Sequence, residues 1–469
     1  MKILEKNIKN KIHLTGIGGI GMSGIAEVLF SQGYKIQGSD LLNNNNTKRL
    51  KKMGIKVFLG HSQKNLKNVN ILVISSAIKK NNTELKFAKK NKIPVYKRSD
   101  MLAALMKYNE SIAVSGSHGK TTTTSLISSV LEIANFDPTT IIGGIVNQYK
   151  STTRIGKSNW MVVEADESDG SLIDLFPKIA VLTNINKEHM DFYKNYSNLK
   201  KYFLNFTNNI PFDGVAIYCN DNIDLQKLLL ENKKRNKISY GLNKDSDVRA
   251  TNILINEKGS FFDINIKKTN LLKKETINKI RLNVLGRHNI QNSLAAVTVA
   301  KILNINTNKI KQAFQKFKGV KRRFTQVCNF KGIKIIDDYA HHPEEIKATL
   351  ELARNLKPKK IIVIFQPHRY SRFKNLYYDF KKVLKNCDQL YVTNVYSAGE
   401  KKIKNFSKER FVLEMNKIRK NFARPLNNIN SLPKIILNQG KKGDIVIFIG
   451  AGDISKWVNE LPSKLKKFS

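Results

Sequence analysis

The sequence has no apolar run approaching the ~20 residues that a membrane-spanning helix requires. The charged first residues, Met1–Lys11, are not followed by an apolar segment long enough for a signal peptide. Cysteine is scarce, and Cys219, Cys328 and Cys387 lie far apart, which argues against a disulfide framework and a thiolate metal site. These absences predict a protein of the reducing cytoplasm that does not insert into membranes.

Acidic residues are few as well, because the sequence has 37 Asp and Glu but 82 Lys and Arg, and the formal net charge is +45. Such a charge attracts polyanions and raises the hypothesis of nucleic-acid binding. The lysines, however, are spread over the whole chain together with many asparagines and isoleucines, and AT-rich codons account for all three residue types. No basic block is interleaved with aromatic residues and arginine is scarce, so no nucleic-acid partner is predicted.

The chain is too long for one hydrophobic core, so about two to four domains are expected. Short β-branched runs alternate with helical stretches, which is typical of parallel sheets covered by helices. Boundaries near Asn109 and near residues 319–324 give predicted domains of residues 1–108, 109–322 and 323–469. Residues 246–283 alternate apolar and polar side chains, which predicts antiparallel hairpins within the middle domain.

The most informative segment is residues 111–121, in which an apolar run leads into a glycine turn and then into lysine and threonine. The amides of such a turn and the N-terminus of the next helix can bind a polyphosphate. Lys120 would add positive charge, and Thr121 would offer a hydroxyl to magnesium. Only two residues separate Gly116 from Gly119, so this is a shortened phosphate-binding loop. A solvated turn that caps a helix is the weaker alternative.

A second glycine turn lies near the start of the chain, where Gly16, Gly18 and Gly21 fit the pattern G-x-G-x-x-G between a short apolar run and a helical stretch. Asp40 follows at about the distance of a ribose contact. Taken alone, the motif suggests a nicotinamide enzyme, but that reading leaves the Lys120 loop unexplained. Any pyrophosphate suits such a turn, including that of a UDP-sugar.

Two strand ends in the middle domain carry candidate metal ligands. The apolar run Trp160–Glu164 leads into the acids of residues 166–169, and carboxylates at such strand ends can hold magnesium. Glu164 is favoured as a ligand, whereas the acids after it are as well explained as helix caps. The run at residues 181–189 ends on His189, a candidate ligand for a second metal, although a single loop histidine is often only a packing residue.

Three further motifs combine amide, histidine and arginine side chains. Asn289 could recognise a nucleobase or cap the helix that follows it. Residues 337–343 and 365–372 follow apolar runs in the last domain and gather histidines and arginines that would neutralise carboxylate or phosphate charge. Arg369 and Arg372 are expected on one side of a helical turn because they are three residues apart.

Taken in order, these motifs resemble the Mur ligase family over nearly the whole chain. The motifs that carry the resemblance are Gly16–Gly24, Gly116–Thr123, Glu164–Asp169, Thr183–Asp191, Asp337–Pro343, Gln366–Arg372, Ser397–Glu400 and Gly450–Ile454. The glycine-rich first motif and the His-His-Pro segment are similar to the branch that adds L-alanine. A ligase that recycles murein peptides shares the ATP loop but differs in its first glycine turn, and it is the alternative.

The resemblance implies an α/β fold of three domains, each built on a mostly parallel sheet with flanking helices. These would be a Rossmann-like domain for the UDP-sugar, a P-loop ATPase-like domain, and a second Rossmann-like domain that closes over the site. The implied reaction joins L-alanine to the carboxylate of UDP-N-acetylmuramate through an acyl phosphate, with ATP and Mg²⁺, in peptidoglycan precursor synthesis. A monomer or a weak homodimer is expected.

The same resemblance assigns roles to single residues. The expected contacts to the UDP-sugar are Gly16, Gly18, Gly19, Gly21 and Asp40. The expected ATP contacts are Gly116, Ser117, His118, Gly119, Lys120, Thr121 and Thr122, with His288, Asn289, Asn292 and Asp337 for the nucleoside. The expected metal ligands are Thr121, Glu164 and His189. The expected catalytic charges are Lys120, His341, Arg369 and Arg372.

Overall fold

The computed structural model describes residues 10–232 and 235–468. The signal-peptide prediction concerns mainly residues 1–9, which lie outside the described residues. The chain divides into two compact units, one running to Gly319 and one from Val320, apart from two short stretches, Ile255–Lys258 and Leu285–Arg287, that group with the second. Within the described ranges, no helix combines the length and the apolar character that a membrane span needs.

The first sheet of the first unit is fully parallel, with strand order β3-β2-β1-β4-β5. Its strands are β1 (Lys11–Thr15), β2 (Lys35–Asp40), β3 (Lys56–Leu59), β4 (Ile71–Ile74) and β5 (Val95–Lys97). Its helices are α1 (Ile20–Ser31), α2 (Asn45–Lys52), α3 (Thr83–Lys90) and α4 (Arg98–Lys107). The glycine turn follows the central strand β1, so it lies at the carboxyl edge where such sheets bind ligands.

The second sheet of the first unit has ten strands in the order β15-β14-β13-β12-β11-β10-β6-β9-β7-β8. Its strands are β6 (Glu110–Ser115), β7 (Thr139–Val146), β8 (Ser151–Arg154), β9 (Trp160–Glu164), β10 (Ile179–Leu182), β11 (Val215–Cys219), β12 (Asn236–Gly241), β13 (Val248–Asn256), β14 (Gly259–Ile266) and β15 (Glu275–Leu282). Its helices are α5 (Lys120–Ile133), α6 (Met190–Tyr193), α7 (Tyr196–Asn208), α8 (Ile223–Glu231), α9 (Arg287–Ile302) and α10 (Thr307–Lys316).

The strand order of this second sheet brings the predicted site segments together. Strand β6 pairs in parallel with β9 on one side and with β10 on the other, so the Lys120 turn lies between the ends of both. The hairpin prediction for residues 246–283 is confirmed, because β14 and β15 pair antiparallel at one edge of the sheet.

Close packing joins the two sheets of the first unit. A Cβ built on Gly24, in α1, would lie 2.8 Å from Thr153 Oγ1 and 3.1 Å from Ile141 Cγ2, so only a glycine lets the helix approach β7 and β8 this closely. Both glycine turns therefore belong to one packed body.

The second unit has one sheet in the order β16-β17-β21-β18-β19-β20, in which only the pair β16 and β17 is antiparallel. Its strands are β16 (Thr325–Phe330), β17 (Ile333–Asp338), β18 (Ile361–Phe365), β19 (Gln389–Val392), β20 (Ala423–Pro425) and β21 (Ile445–Ile449). Its helices are α11 (Pro343–Asn355), α12 (Tyr370–Asn375), α13 (Tyr377–Leu384), α14 (Lys408–Ile418), α15 (Leu432–Gln439) and α16 (Ile454–Leu465). Its central strands β18 and β21 are buried along their whole length.

The prediction of mostly parallel sheets with flanking helices is confirmed by all three sheets. The limits of residues 1–108, 109–322 and 323–469 stay a prediction.

Candidate active site

The Lys120 turn is a tight, glycine-dependent loop between β6 and α5. Gly116 has a φ of 136°, and a Cβ added there would lie 2.1 Å from Thr183 Oγ1, so no other residue fits. Helix α5 begins without a side-chain cap and without an acidic residue in its first turn. Its first amides are therefore available to an anion, as the phosphate-site prediction requires.

The segment after β10 holds the turn in place. Asn184 Oδ1 accepts a hydrogen bond from the His118 amide at 2.9 Å, and the Thr183 hydroxyl donates to the His118 carbonyl at 2.6 Å. Ser117 is tied to the same segment, since its amide donates to the Asn184 carbonyl at 3.0 Å. The loop is thus fixed by a neighbouring strand end and does not depend on a ligand for its shape.

Lys120 turns back onto its own loop. Its Nζ donates to the Gly116 carbonyl at 2.5 Å and lies 2.8 Å from Glu167 Oε2. Burial by itself lowers the pKa of Lys120, but the carboxylates of Glu167, Asp166 and Glu164 outweigh burial and raise it. The ammonium therefore stays charged at the place where a polyphosphate would bind.

The predicted ligand pair Thr121 and Glu164 is assembled in the structure. The Thr121 hydroxyl donates to Glu164 Oε1 at 3.0 Å, and the Gly143 amide donates to Glu164 Oε2 at 2.7 Å. Burial raises the pKa of Glu164. A hydroxyl and a carboxylate side by side next to the phosphate turn are suitable oxygen ligands for magnesium.

A second group of candidate ligands is formed by Glu167, Glu188 and His189, whose ligand atoms all lie within 4.8 Å of one another. His189 Nε2 is 3.6 Å from Glu167 Oε1 and 3.7 Å from Glu188 Oε2. Burial raises the pKa of Glu167 to about 7. The sequence prediction names only His189. Glu188 was missed although it directly precedes the histidine, and Glu167 was left open between ligand and helix cap.

The predicted nucleoside contacts Asn289 and Asn292 lie in the first turns of α9. A Cβ built on Gly119 would lie 2.7 Å from Asn292 Oδ1, so this amide is adjacent to the phosphate turn. Asn292 Nδ2 donates to Asn289 Oδ1 at 3.3 Å. The capping alternative for Asn289 is wrong, because α9 begins two residues earlier, at Arg287. His288 also lies in this turn of the helix.

The first glycine turn is stabilised by Asp40. Its Oδ2 accepts from the Gly18 amide at 2.8 Å and its Oδ1 accepts from the Leu42 amide at 3.0 Å. The Gly16 amide donates to the Ser39 carbonyl at 2.8 Å. Like α5, helix α1 begins with no side-chain cap and no acid in its first turn. The carboxylate predicted to meet a ribose thus also fixes the turn.

Arg98 connects the two turns and was missed by sequence reasoning. A Cβ built on Gly21, in the first turn of α1, would lie 3.5 Å from Arg98 Nη1. Arg98 Nη2 lies 3.3 Å from Asp169 Oδ2, the last of the acids that follow β9. No spacing rule links residue 98 to either motif, so only the fold reveals this bridge.

The second unit gathers part of the predicted catalytic set around His368. The His341 and His368 rings are 5.8 Å apart, and His368 stacks on Tyr396 at 5.5 Å. Arg372 Nη1 donates to His368 Nδ1 at 3.2 Å. Burial, reinforced by the charges of His341 and Arg372, lowers the pKa of His368 to about 3, so this ring is neutral. His368 was not predicted as a site residue.

The expectation that Arg369 and Arg372 share one side of a helical turn is wrong. Arg369 precedes α12 with a φ of 67°, outside the helical region, and its Nε donates to Glu400 Oε1 at 2.6 Å. The two guanidinium groups therefore have different partners. Glu400, quoted in the sequence motif without a role, also accepts from the Ser371 amide at 2.9 Å.

Asp337 lies at the end of β17 and is only 2% exposed. Its Oδ2 accepts a hydrogen bond from the Ser455 hydroxyl at 2.5 Å. Burial raises the pKa of Asp337. Its predicted contact with a ribose stays a prediction.

Three family models match consecutive parts of the chain. The model described as Mur ligase family, catalytic domain, matches residues 11–110. The Mur ligase middle domain matches residues 114–300, and the model described as Mur ligase, glutamate ligase domain, matches residues 322–452. The three matches together cover both glycine turns and both histidine–arginine motifs.

A curated relative has the same extent as this chain. The UDP-N-acetylmuramate–L-alanine ligase of Rickettsia bellii is 46% identical over 478 aligned positions, which cover 100% of both chains.

Solved structures agree in fold. A UDP-N-acetylmuramate–alanine ligase of Thermotoga maritima is 27% identical with a TM-score of 0.81, over 98% of this chain and 100% of that one. A murein peptide ligase of Psychrobacter arcticus has a TM-score of 0.68 at 21% identity, over 97% of this chain and 98% of that one, and shows the fold alone.

Proposed function

Because this chain belongs to the Mur ligase family, we propose that it joins L-alanine to the carboxylate of UDP-N-acetylmuramate at the expense of ATP. In this reaction the carboxylate attacks the γ-phosphate of ATP, and the amine of alanine then displaces phosphate from the resulting acyl phosphate. The observation that carries the proposal is the end-to-end alignment with a relative of that name, since every motif of the site falls within the aligned region.

Lys120 is the proposed partner of the transferred phosphate. At ~4 Å two like charges repel by about 4 kcal/mol at an effective dielectric of ~20, so the reaction needs a fixed cation where two anions meet. The charged ammonium beside the turn supports this role. A polyphosphate held by the turn amides and α5 would replace Glu167 as the partner of Lys120.

The donor sets fit magnesium, which would supply positive charge to the phosphate oxygens. Thr121 and Glu164 offer two oxygen ligands at the turn, and Glu167, Glu188 and His189 offer a second, mixed set. The buried carboxylates support this proposal, because burying acids next to one another is costly unless a cation neutralises them.

The other predicted contacts keep their roles within the proposal. Asn289, Asn292 and His288 would meet the adenine, and the position of Asn292 beside Gly119 supports this. Asp337 would reach the ribose. His341, Arg369 and Arg372 would bind the muramoyl carboxylate, alanine or the transferring phosphate, and the cluster around His368 supports a charged binding surface in the second unit.

A murein-peptide recycling ligase is not favoured. The relative aligned end to end is named as an alanine-adding enzyme, whereas the murein peptide ligase of Psychrobacter arcticus, at 21% identity, shows the fold alone. We further propose that the enzyme acts in the cytoplasm in cell-wall precursor synthesis, which three free cysteines support. The expected monomer or weak homodimer stays a prediction.

Phosphate release tests the proposal directly. Purified protein is supplied with ATP, Mg²⁺ and UDP-N-acetylmuramate, and with alanine, serine, glycine or a tripeptide in separate reactions. We expect release that requires the sugar acid and is fastest with L-alanine. Release with the tripeptide alone would instead favour the recycling ligase. No release with any acceptor would contradict the proposed function altogether.

A further inference from the structure

A fully buried carboxylate lies beneath the carboxyl edge of the first sheet. Glu84, on α3, has no exposed surface. Its Oε2 accepts from the hydroxyls of Thr15 and Ser39, both at 2.7 Å, and its Oε1 accepts from Asn65 Nδ2 at 2.7 Å. Burial alone would raise the pKa of Glu84, but the contact with His13 and these hydrogen bonds lower it to about 2. Glu84 is therefore an ionised acceptor with no hydrogen to give.

The hydrogen bonds of this network fix the tautomer of His13. Gln37 Nε2 lies 2.6 Å from the carbonyl of Asn65, which can only accept, and 3.0 Å from His13 Nδ1. The amide nitrogen thus donates to both atoms, and Nδ1 of His13 is an acceptor. The ring hydrogen of His13 is on Nε2, which lies 3.3 Å from Glu84 Oε2.

The same reasoning fixes the tautomer of His61. The Ser39 hydroxyl hydrogen points to Glu84, because the carboxylate cannot donate. A lone pair of Ser39 Oγ is then left for His61 Nδ1, 2.9 Å away, and His61 must donate it a hydrogen. Neutral His61 therefore carries its hydrogen on Nδ1 and a lone pair on Nε2. Among the described residues, none forms a hydrogen bond with His61 Nε2.

The position of His61 indicates which part of a bound nucleotide its Nε2 would contact. The glycine turn follows β1, Asp40 ends β2, and His61 is the second residue after β3. Neighbouring parallel strands are about 4.8 Å apart, so these are three successive positions along one edge. A nucleotide with its pyrophosphate at the turn and its ribose near Asp40 would have its base beside His61. The side chains of Leu41, Leu42 and Leu59 are 67%, 67% and 69% exposed on this part of the edge and offer apolar cover to a base.

We propose that His61 is a specificity-determining residue that accepts a hydrogen bond from the base of the nucleotide sugar. Uracil presents an N–H at N3, which fits a lone pair, whereas cytosine presents a second lone pair at the same position. His61 thereby selects uracil over cytosine, with Ser39 and Glu84 as positioning residues. This inference rests on the proposed function, because it takes the first glycine turn as the UDP-sugar site.

The test measures binding of UDP, CDP and N3-methyl-UDP to the full chain by calorimetry. We expect the wild-type protein to prefer UDP over both analogues by about tenfold or more, the value of a hydrogen bond whose loss leaves a desolvated lone pair. His61→Leu should reduce the preference to within about threefold. The control Gln63→Ala, at an exposed neighbouring position, should keep the preference.

Binding of ADP at the Lys120 turn reports whether each variant is folded, and it should be the same in all of them. If His61→Leu does not fold, His61→Gln replaces it and should bind UDP and CDP about equally, because an amide presents either a donor or an acceptor. In phosphate release, His61→Leu should raise KM for UDP-N-acetylmuramate with little change in kcat, the signature of lost uniform binding.

Retention of the full UDP preference by folded His61→Leu or His61→Gln would overturn the inference while leaving the proposed function intact. A wild-type protein that binds UDP and CDP equally would also overturn it. If the wild-type protein shows no phosphate release that depends on the sugar acid, the proposed function itself fails, and the inference fails with it.

Discussion

The two glycine turns of the first unit share one backbone plan but differ in chemistry. Each follows a central parallel strand, and each opens a helix with no side-chain cap and no acid in its first turn. By contrast, Asn44 caps α2 and Asn82 caps α3 in the same unit. The uncapped amides of α1 and α5 are thus what the two turns have in common, and they suit a phosphate in both places.

The surroundings of the turns set them apart. The turn at Gly18 is tied down by Asp40 and has no lysine, whereas the turn at Gly116 carries Lys120 and faces several buried acids. Under the proposed function, the first turn would hold an anion in a fixed position, and the turn of Lys120 would change the charge around an anion. The proposed function thus assigns binding to one glycine turn and chemistry to the other.

Replacing Lys120 should have the largest effect on the rate of phosphate release. We expect Lys120→Ala to slow phosphate release by at least ~10²–10³-fold, as is typical for the loss of one preorganised electrostatic group. UDP binding at the first turn should be unchanged. The control Lys150→Ala, at an exposed position in the same unit, should keep wild-type release. Wild-type-like turnover in Lys120→Ala would contradict the role of the second turn.

Neutralising Glu84 should destabilise the hydrogen-bond network that holds Thr15 and Ser39 at the carboxyl edge of the first sheet. The folded pKa of Glu84 lies at about 2, below its ordinary 4.5, so its charge stabilises the fold above that ordinary pKa and the contribution is lost as pH falls towards 2. The shift corresponds to about 3 kcal/mol. In urea unfolding, Glu84→Gln should be less stable than wild type by about this amount at pH 7.

The difference in the free energy of unfolding between Glu84→Gln and the wild-type protein should narrow between pH 4.5 and pH 2, because the wild-type carboxylate becomes protonated there. A difference in the free energy of unfolding that does not depend on pH would show that packing, and not the charge of Glu84, accounts for the loss of stability.

Asp40→Ala should weaken ligand binding at the first glycine turn without affecting ligand binding at the Lys120 turn. The amides of Gly18 and Leu42 would lose their acceptor, and the turn would lose its fixed conformation. We expect about a tenfold loss in affinity for UDP-N-acetylmuramate. Affinity for ADP is the internal reference and should not change. A loss of ADP affinity would mean that the two turns are assigned to the wrong ligands.

The smallest effect is expected from removing the ion pair of Arg98 with Asp169. The ion pair of Arg98 with Asp169 is partly exposed, so its contribution to stability should be at most ~1 kcal/mol. A double-mutant cycle of Arg98→Ala and Asp169→Ala, read as KM for UDP-N-acetylmuramate, measures whether the pair couples the turns. A coupling of zero would leave the two turns energetically independent.

Sequence reasoning was most successful where a motif is local. Both glycine turns, and the places of Thr121, Glu164 and His189 at or after strand ends, were predictable because each motif is short and lies next to a recognisable strand, while the roles of these residues stay predictions. The mostly parallel sheets were predictable for the same reason, since continuous apolar runs such as Ile445–Ile449 are typical of buried strands.

Residues brought together from distant segments were not predictable. Glu84, Ser39 and His61 meet through three separate elements, and nothing in their spacing links them. Arg98 was missed for the same reason. Arg369 was placed wrongly, because its left-handed backbone interrupts the helical period that the three-residue spacing assumes.

Lys120 is one lysine of a chain whose formal net charge is +45. The many other lysines attract polyanions by long-range electrostatics. The ammonium of Lys120 already has a carboxylate and a carbonyl as partners, so a bulky polyanion cannot engage it by charge alone. Under the proposed function, a ligand of this turn has to satisfy its amides and replace the partners of the ammonium at once. The net charge attracts many anions, while the contacts of Lys120 limit which of them would bind at this turn.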